Sequence, residues 1–187
     1  VLGAVLAGGL GSRLGARKAG IELGGRSLIS YPLAAIAAAG LDAVVLTKPG
    51  EELPALDVPV LAEPAEPRHP LCGIVAALRM GRPIVAVACD LPFVSPGLIE
   101  LLAGMSEPLV VPTLDGRPQP LLARYEPSLL PQLEAALERE EPLTRTVESL
   151  GARLLGEDEL AHFGDPARLL FNVNDPDDLR EAEALLL

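Results

Sequence analysis

The stretch that decides the fold is VLGAVLAGGLGSRLGARK, Val1 to Lys18. Its first half, Val1–Ala7, is a short continuous apolar run of the kind that forms a strand buried on both faces. Its second half, Leu6–Lys18, places Gly8, Gly9, Gly11 and Gly15 among Ser12, Arg13, Arg17 and Lys18. A glycine-rich turn after a first strand presents backbone N–H groups and commonly receives phosphate. Several unrelated designs share that feature, and the residues discriminate between them. A Walker A loop needs Gly-Lys-Ser/Thr running into a helix. Here Lys18 follows Arg17 and precedes Ala19-Gly20, so the P-loop reading fails. The dinucleotide fingerprint is met only in relaxed form by Gly9, Gly11 and Gly15. It needs a helix opening inside the motif and an acidic residue ending the second strand. The next helix signal comes only at Ser27, and the second strand ends in Thr47-Lys48. What remains is a wide loop with backbone donors near Gly8, Gly9 and Gly11 and the cations Arg13 and Lys18 beside them, which suits a triphosphate.

Beyond the loop, strands alternate with helices. Ala43–Thr47, Val58–Ala62, Pro83–Asp90, Pro108–Pro112 and Pro120–Tyr125 read as further strands, and Leu169–Asp175 (LLFNVND) as a last strand-like stretch. Ser27 is expected to cap a helix reaching Ala39 with Gly40 as its stop. Leu71–Gly81 forms a second helix, and Ser95-Pro96 starts a third. Helices follow near Pro127–Arg139 and Thr144–Leu150, and Asp175 caps a C-terminal one with acidic residues in its first turn. Apolar strands alternating with helices predict an α/β fold: a three-layer αβα sandwich around a mostly parallel, Rossmann-like sheet. No internal repeat or linker divides the 187 residues, so one domain over 1–187 is expected. Ligands in such sheets bind beyond the carboxyl ends of the strands. Loop 7–18, Thr47–Lys48, Glu63–Pro70 and Asp90 are therefore expected to gather on one edge.

Charge and composition narrow the partners. A net charge of −11 argues against nucleic acid and anionic membranes. Yet residues 1–50 carry a net +3, which leaves −14 for the remainder and favours a small anionic ligand at the N-terminal end. Cys72 and Cys89 lack metal-ligand spacing and read as buried reduced thiols. No charged segment with an apolar core and cleavage site opens the sequence, and no apolar run reaches 18 residues. A cytoplasmic protein is expected. The lysines are two, Lys18 and Lys48, against thirteen arginines. His69 and His162 lack a third ligand or an acid partner, and no catalysis is assigned to them.

The pattern LAGGxxSRLGxxK at 6–18 resembles the signature of nucleotidyltransferases that activate sugars and cofactors. Further segments are similar to those of the MobA-type molybdenum cofactor guanylyltransferases: HPLCGIVAAL (69–78), VACDLPFVSPGLI (87–99), GRPQPLLARY (116–125) and NVNDPDDL (172–179). They occur in the family's order and span nearly the whole sequence. LAGG and the helix start at 69–73 resemble the guanylyl branch more than the cytidylyl one. The resemblance implies transfer of GMP from GTP to the terminal phosphate of molybdopterin cofactor, with Mg²⁺, releasing pyrophosphate. Molybdenum cofactor carrier and acceptor proteins would be transient partners. The alternatives are a cytidylyltransferase or sugar-phosphate nucleotidyltransferase of the same fold, or a catalytically silent nucleotide-binding regulator.

Carried over residue by residue, the resemblance implies Asp90 as the Mg²⁺ ligand and Lys18 as the phosphate-binding cation supported by Arg13. GTP would be held by Leu6, Ala7, Gly8, Gly9, Lys18, Thr47, Glu63 and Asp90. Glu63 stands where the family has an Asp that reads the base, and Thr47 where it has an Asn. Gly11 and Arg17 replace the family's usual Ser and Asp. Pro70, Leu71 and Gly73 would let backbone approach the nucleotide. Asn172 and Asn174, the chain's only asparagines, are two apart, so on a strand both amides would share a face. The resemblance puts them on the pterin side.

Overall fold

The computed structural model describes residues 1–8 and 18–186, Lys18 through its backbone alone. Ten strands lie in chain order among these residues: β1 (Leu2–Leu6), β2 (Glu22–Leu23), β3 (Arg26–Ser27), β4 (Asp42–Thr47), β5 (Val60–Ala62), β6 (Ile84–Ala88), β7 (Leu109–Leu114), β8 (Arg117–Pro118), β9 (Leu122–Tyr125) and β10 (Arg153–Leu155). Eight helices are interleaved: α1 (Ser30–Ala38), α2 (Leu71–Leu78), α3 (Pro96–Gly104), α4 (Leu130–Glu138), α5 (Leu143–Ser149), α6 (Glu157–Leu160), α7 (Pro166–Leu169) and α8 (Pro176–Leu185).

The main sheet runs β10-β7-β9-β6-β1-β4-β5, with β8 appended to β7. Pairings β1–β4, β1–β6, β4–β5 and β7–β10 are parallel, while β9 runs antiparallel between β6 and β7 and β8 pairs antiparallel with β7. The apolar run that opens the sequence lies in the middle of this sheet because both of its faces are covered. Val5 joins Val45, Val85 and Val87 in one core with Ile36 of α1 and Leu98 and Leu102 of α3. Leu2 and Ala4 face the other way, with Val44, Ile84 and Ala86, against Ile74 and Leu78 of α2 and Leu133 of α4. Side chains alternating at a period of two thus feed both cores, and a strand so placed has no polar face to show. The result is the three-layer α/β arrangement with a mixed, mostly parallel sheet.

Several element boundaries follow their local chemistry. Ser95 caps α3 by accepting from the Leu98 N–H at 3.2 Å, with Pro96 in the first turn. Asp175 caps α8, its Oδ1 accepting from the N–H groups of Asp177 and Asp178 at 2.9 and 3.0 Å. Ser27, by contrast, is not a cap. It pairs with Glu22 in a two-strand hairpin whose turn, Gly24-Gly25, has φ values of 55° and 78°. Two glycines able to take left-handed backbone favour the tight turn, and α1 begins only at Ser30, whose hydroxyl donates to the Ser27 carbonyl at 2.6 Å. The stretch LLFNVND is likewise not a strand. Asp165-Pro166 starts α7, which absorbs its first residue, and the Asn174 N–H donates to the Asp178 carboxylate at 2.8 Å rather than to a neighbouring strand. Val173 keeps one backbone bond, to the Asp90 carbonyl at 3.0 Å, which ties this segment beside the end of β6. Among the described residues no helix is long and apolar enough to cross a membrane.

Candidate active site

The carboxyl ends of β1, β4, β5 and β6 point to the same edge of the sheet, because these strands are parallel. A cavity of about 440 Å³ opens there, within the range of small-molecule sites. Leu6 and Gly8 line it from the end of β1, Glu63, Arg68, His69 and Pro70 from the segment after β5, and Ala88, Cys89 and Asp90 from the end of β6. Asn172 and Asn174 close it from the C-terminal segment. Both asparagines therefore reach the cavity, though through irregular backbone rather than one face of a strand. The Asn172 side chain donates to the Leu170 carbonyl at 3.0 Å.

Of the residues singled out in the sequence, Leu6, Gly8, Glu63, Asp90, Asn172 and Asn174 meet in this cavity. Ala7 and Thr47 are buried close by, at the ends of β1 and β4, and do not line it. The Thr47 Oγ1 has no hydrogen-bond partner among the described residues. Gly9 and Arg13 lie outside the described residues, as does the side chain of Lys18. Cys72 and Cys89 are buried thiols, as expected, and Cys72 Sγ donates to the Pro67 carbonyl at 3.2 Å. His69 accepts the Leu71 N–H on Nδ1 at 3.2 Å, which makes it a local cap at the start of α2.

The electrostatics centre on Glu63, which is 6 % exposed. Burial pushes its carboxyl above the ordinary glutamate range, while the Lys48 ammonium at 3.5 Å pulls it down. Lys48, expected on this edge, is itself buried, and its pairing with Glu63 is what sequence reasoning missed. Its Nζ also donates to the carbonyls of Pro64 at 2.6 Å and Pro67 at 3.0 Å. A lysine directly after a strand reads as solvated, and the available signal was its rarity in an arginine-rich chain. The carboxylate of Glu63 is received by two glycines. A Cβ added at Gly8 would stand 2.0 Å from Oε1, and one at Gly73 would stand 2.8 Å from Oε2. Gly73, in the first turn of α2, thus makes room for Glu63, and Leu71 beside it is wholly buried.

Asp90 offers a second carboxylate across the cavity, 9 % exposed at the end of β6. No group of three or more His, Cys, Asp or Glu able to hold a metal occurs among the described residues. That donor set does not make an all-protein cage. It does fit a hard cation such as Mg²⁺, which takes one or two carboxylate oxygens and completes its shell with phosphate and water.

A mostly parallel α/β sheet whose carboxyl edge gathers two buried carboxylates, Glu63 and Asp90, in one cavity is the arrangement of a nucleotidyltransferase. The chain belongs to the MobA-like NTP transferase family, whose domain matches residues 3–154. Over its whole length it is 32% identical to the molybdenum cofactor guanylyltransferase of Rhizobium johnstonii, covering 93% of that protein. The crystal structure of molybdopterin-guanine dinucleotide biosynthesis protein A from Archaeoglobus fulgidus superposes with a TM-score of 0.84. That match is 28% identical and covers 100% of this chain and 98% of the other. The 2-C-methyl-D-erythritol 4-phosphate cytidylyltransferase of Thermus thermophilus shares the fold, at a TM-score of 0.69 and 23% identity over 97% of each chain.

Proposed function

We propose that this protein transfers GMP from GTP to the terminal phosphate of molybdopterin cofactor, acting as one domain over 1–187 in the cytoplasm. A phosphate oxygen of the cofactor attacks the α-phosphorus of GTP. The bond to the β-phosphate oxygen breaks, pyrophosphate leaves, and molybdopterin guanine dinucleotide results. The nucleophile is already an anion, so no general base is demanded. The barrier is electrostatic, and the protein's task is to position two anions and neutralise the charge of a third as it departs.

The observation that carries this reading is the pair of carboxylates, Glu63 and Asp90, facing one cavity at the strand ends. Guanine presents N1–H and N2–H₂ side by side, and a carboxylate accepts both. Glu63 is assigned that task, its ionised form secured by Lys48. Asp90 is assigned to Mg²⁺, which when bound supplies Lewis-acid polarisation and charge neutralisation at the phosphates. The backbone from Leu6 to Gly9 cradles the nucleotide, and Lys18 with Arg13 balances the triphosphate. Thr47 supports the base side from the end of β4. Asn172 and Asn174, on the far wall, are assigned to the pterin substrate. Carrier and acceptor proteins for the molybdenum cofactor are its transient partners. The names of the full-length relatives support the same substrates.

The test is pyrophosphate release with Mg²⁺, each of the four NTPs and molybdopterin cofactor. Release confined to GTP plus the pterin is expected. Preference for CTP would move the chain to the cytidylyl branch, and nucleotide binding without release would make it a regulator.

A further inference from the structure

We propose that Lys48 is a positioning residue for base selection, holding the Glu63 carboxylate in the one arrangement that accepts the guanine edge. This rests on the assignment of Glu63 to guanine. Thr47 and Ala62 are the last paired residues of β4 and β5, so Lys48 and Glu63 are neighbours one step beyond the ladder. The Glu63 N–H still donates to the Thr47 carbonyl at 2.9 Å, which fixes the backbone of both.

From there the side chains meet in a confined space. Both are 5% exposed. The ammonium has three protons and three acceptors within reach: Glu63 Oε1 at 3.5 Å and the carbonyls of Pro64 and Pro67. Gly8 walls the carboxylate on the Oε1 side and Gly73 on the Oε2 side. Lys48 therefore fixes both the carboxylate and the backbone that carries it. A buried ion pair of this kind contributes little net stability, because desolvating two charges offsets their attraction. What it supplies here is orientation. The simpler alternative makes Lys48 a staple for segment 63–67 that has no bearing on which base is bound.

Inosine triphosphate separates the two, because it keeps guanine's N1–H and lacks the 2-amino group. Calorimetric Kd values for GTP and ITP, with Mg²⁺, are compared for wild type, Lys48→Met, Lys48→Gln, Glu63→Gln and Lys48→Met combined with Glu63→Gln. Lys48→Gln keeps a donor for the two carbonyls while removing the charge, so it covers the case in which Lys48→Met does not fold. The preference for GTP over ITP is expected to fall by about tenfold in each single variant, the scale of a hydrogen bond to a charged acceptor. In the Glu63→Gln background Lys48→Met should cause no further loss, since coupled residues are not additive. An unchanged preference in a folded Lys48 variant, with the preference lost in Glu63→Gln, would overturn this inference alone. A preference that survives Glu63→Gln would remove the guanine assignment of Glu63 and this inference with it.

Discussion

Replacing Gly8 by alanine adds a single carbon, and the structure fixes what that carbon meets. The new Cβ would stand 2.0 Å from Glu63 Oε1, 3.0 Å from its Cδ and 3.4 Å from Lys48 Cγ. The backbone is no obstacle, because φ at Gly8 lies outside the left-handed region. Relief requires the carboxylate to retreat by about 1 Å or more. It has little room to do so, with Gly73 behind it, and retreat disturbs a Lys48 contact already at 3.5 Å. Breaking a buried ion pair outright costs about 3–5 kcal/mol, and a displaced pair that keeps both partners costs less. Alanine also returns about 0.4–1 kcal/mol by restricting the unfolded chain. The expected outcome for Gly8→Ala is a loss of about 2 kcal/mol in urea unfolding, against a typical domain stability of about 5–15 kcal/mol. The decisive comparison is the same substitution in a Glu63→Ala background. There the clash is gone, Lys48 Cγ at 3.4 Å is an ordinary contact, and Gly8→Ala should be neutral or slightly stabilising. An equal loss in both backgrounds would refute the claim that Gly8 exists to admit the Glu63 carboxylate.

Asp90→Asn should leave the urea midpoint close to wild type and lower turnover on the order of a thousandfold, since several kcal/mol of metal-borne stabilisation are lost; Mg²⁺-dependent pyrophosphate release near the wild-type rate would refute its assignment. GTP affinity should be full at neutral pH and decline on acidification, because Glu63 accepts from guanine only when ionised. Burial raises its carboxyl, so the decline should set in above the ordinary glutamate value of about 4.3. Calorimetry across pH on wild type and Glu63→Gln checks this, and an inflection common to both would assign it elsewhere. Asp175→Ala removes the acceptor for two N–H groups at the start of α8 and should cost about 1 kcal/mol in urea unfolding; no measurable loss would mean that water replaces the cap.

The fold was legible wherever one local signal sufficed. The apolar run at Val1–Ala7 became the centre of the sheet because nothing in it could face water. Ser95-Pro96 and Asp175-Pro176 announced helix starts through cap chemistry alone. Ser27 misled because its cap signal competed with Gly24-Gly25, and a two-glycine turn fixes a hairpin whatever follows it. LLFNVND is apolar enough for a strand, but Asp165-Pro166 had already committed its beginning to a helix. At the site, Asp90 followed from standing at the end of an apolar strand. Glu63 emerged as a base-side candidate through the family resemblance, since a glutamate just before a proline in a loop reads as solvated. Lys48 was legible as an edge residue but not as a buried partner of Glu63, because its burial depends on partners sixteen and nineteen residues away, which no local pattern reveals. The two asparagines reached the cavity by a different route from the one their spacing suggested.

The sheet order has one more consequence. β1 and β6, which carry Gly8 and Asp90, are interior strands paired on both sides. β5, which leads into Glu63, is a three-residue margin paired, among the described residues, to β4 alone, with Val60 50% and Leu61 37% exposed. On the proposed assignments, Gly8 and the metal-binding Asp90 are mounted on the interior of the sheet, and the choice of base hangs from its periphery. An architecture so divided lets its choice of nucleotide drift through rewriting of a short rim, while the reaction beneath stays as it was.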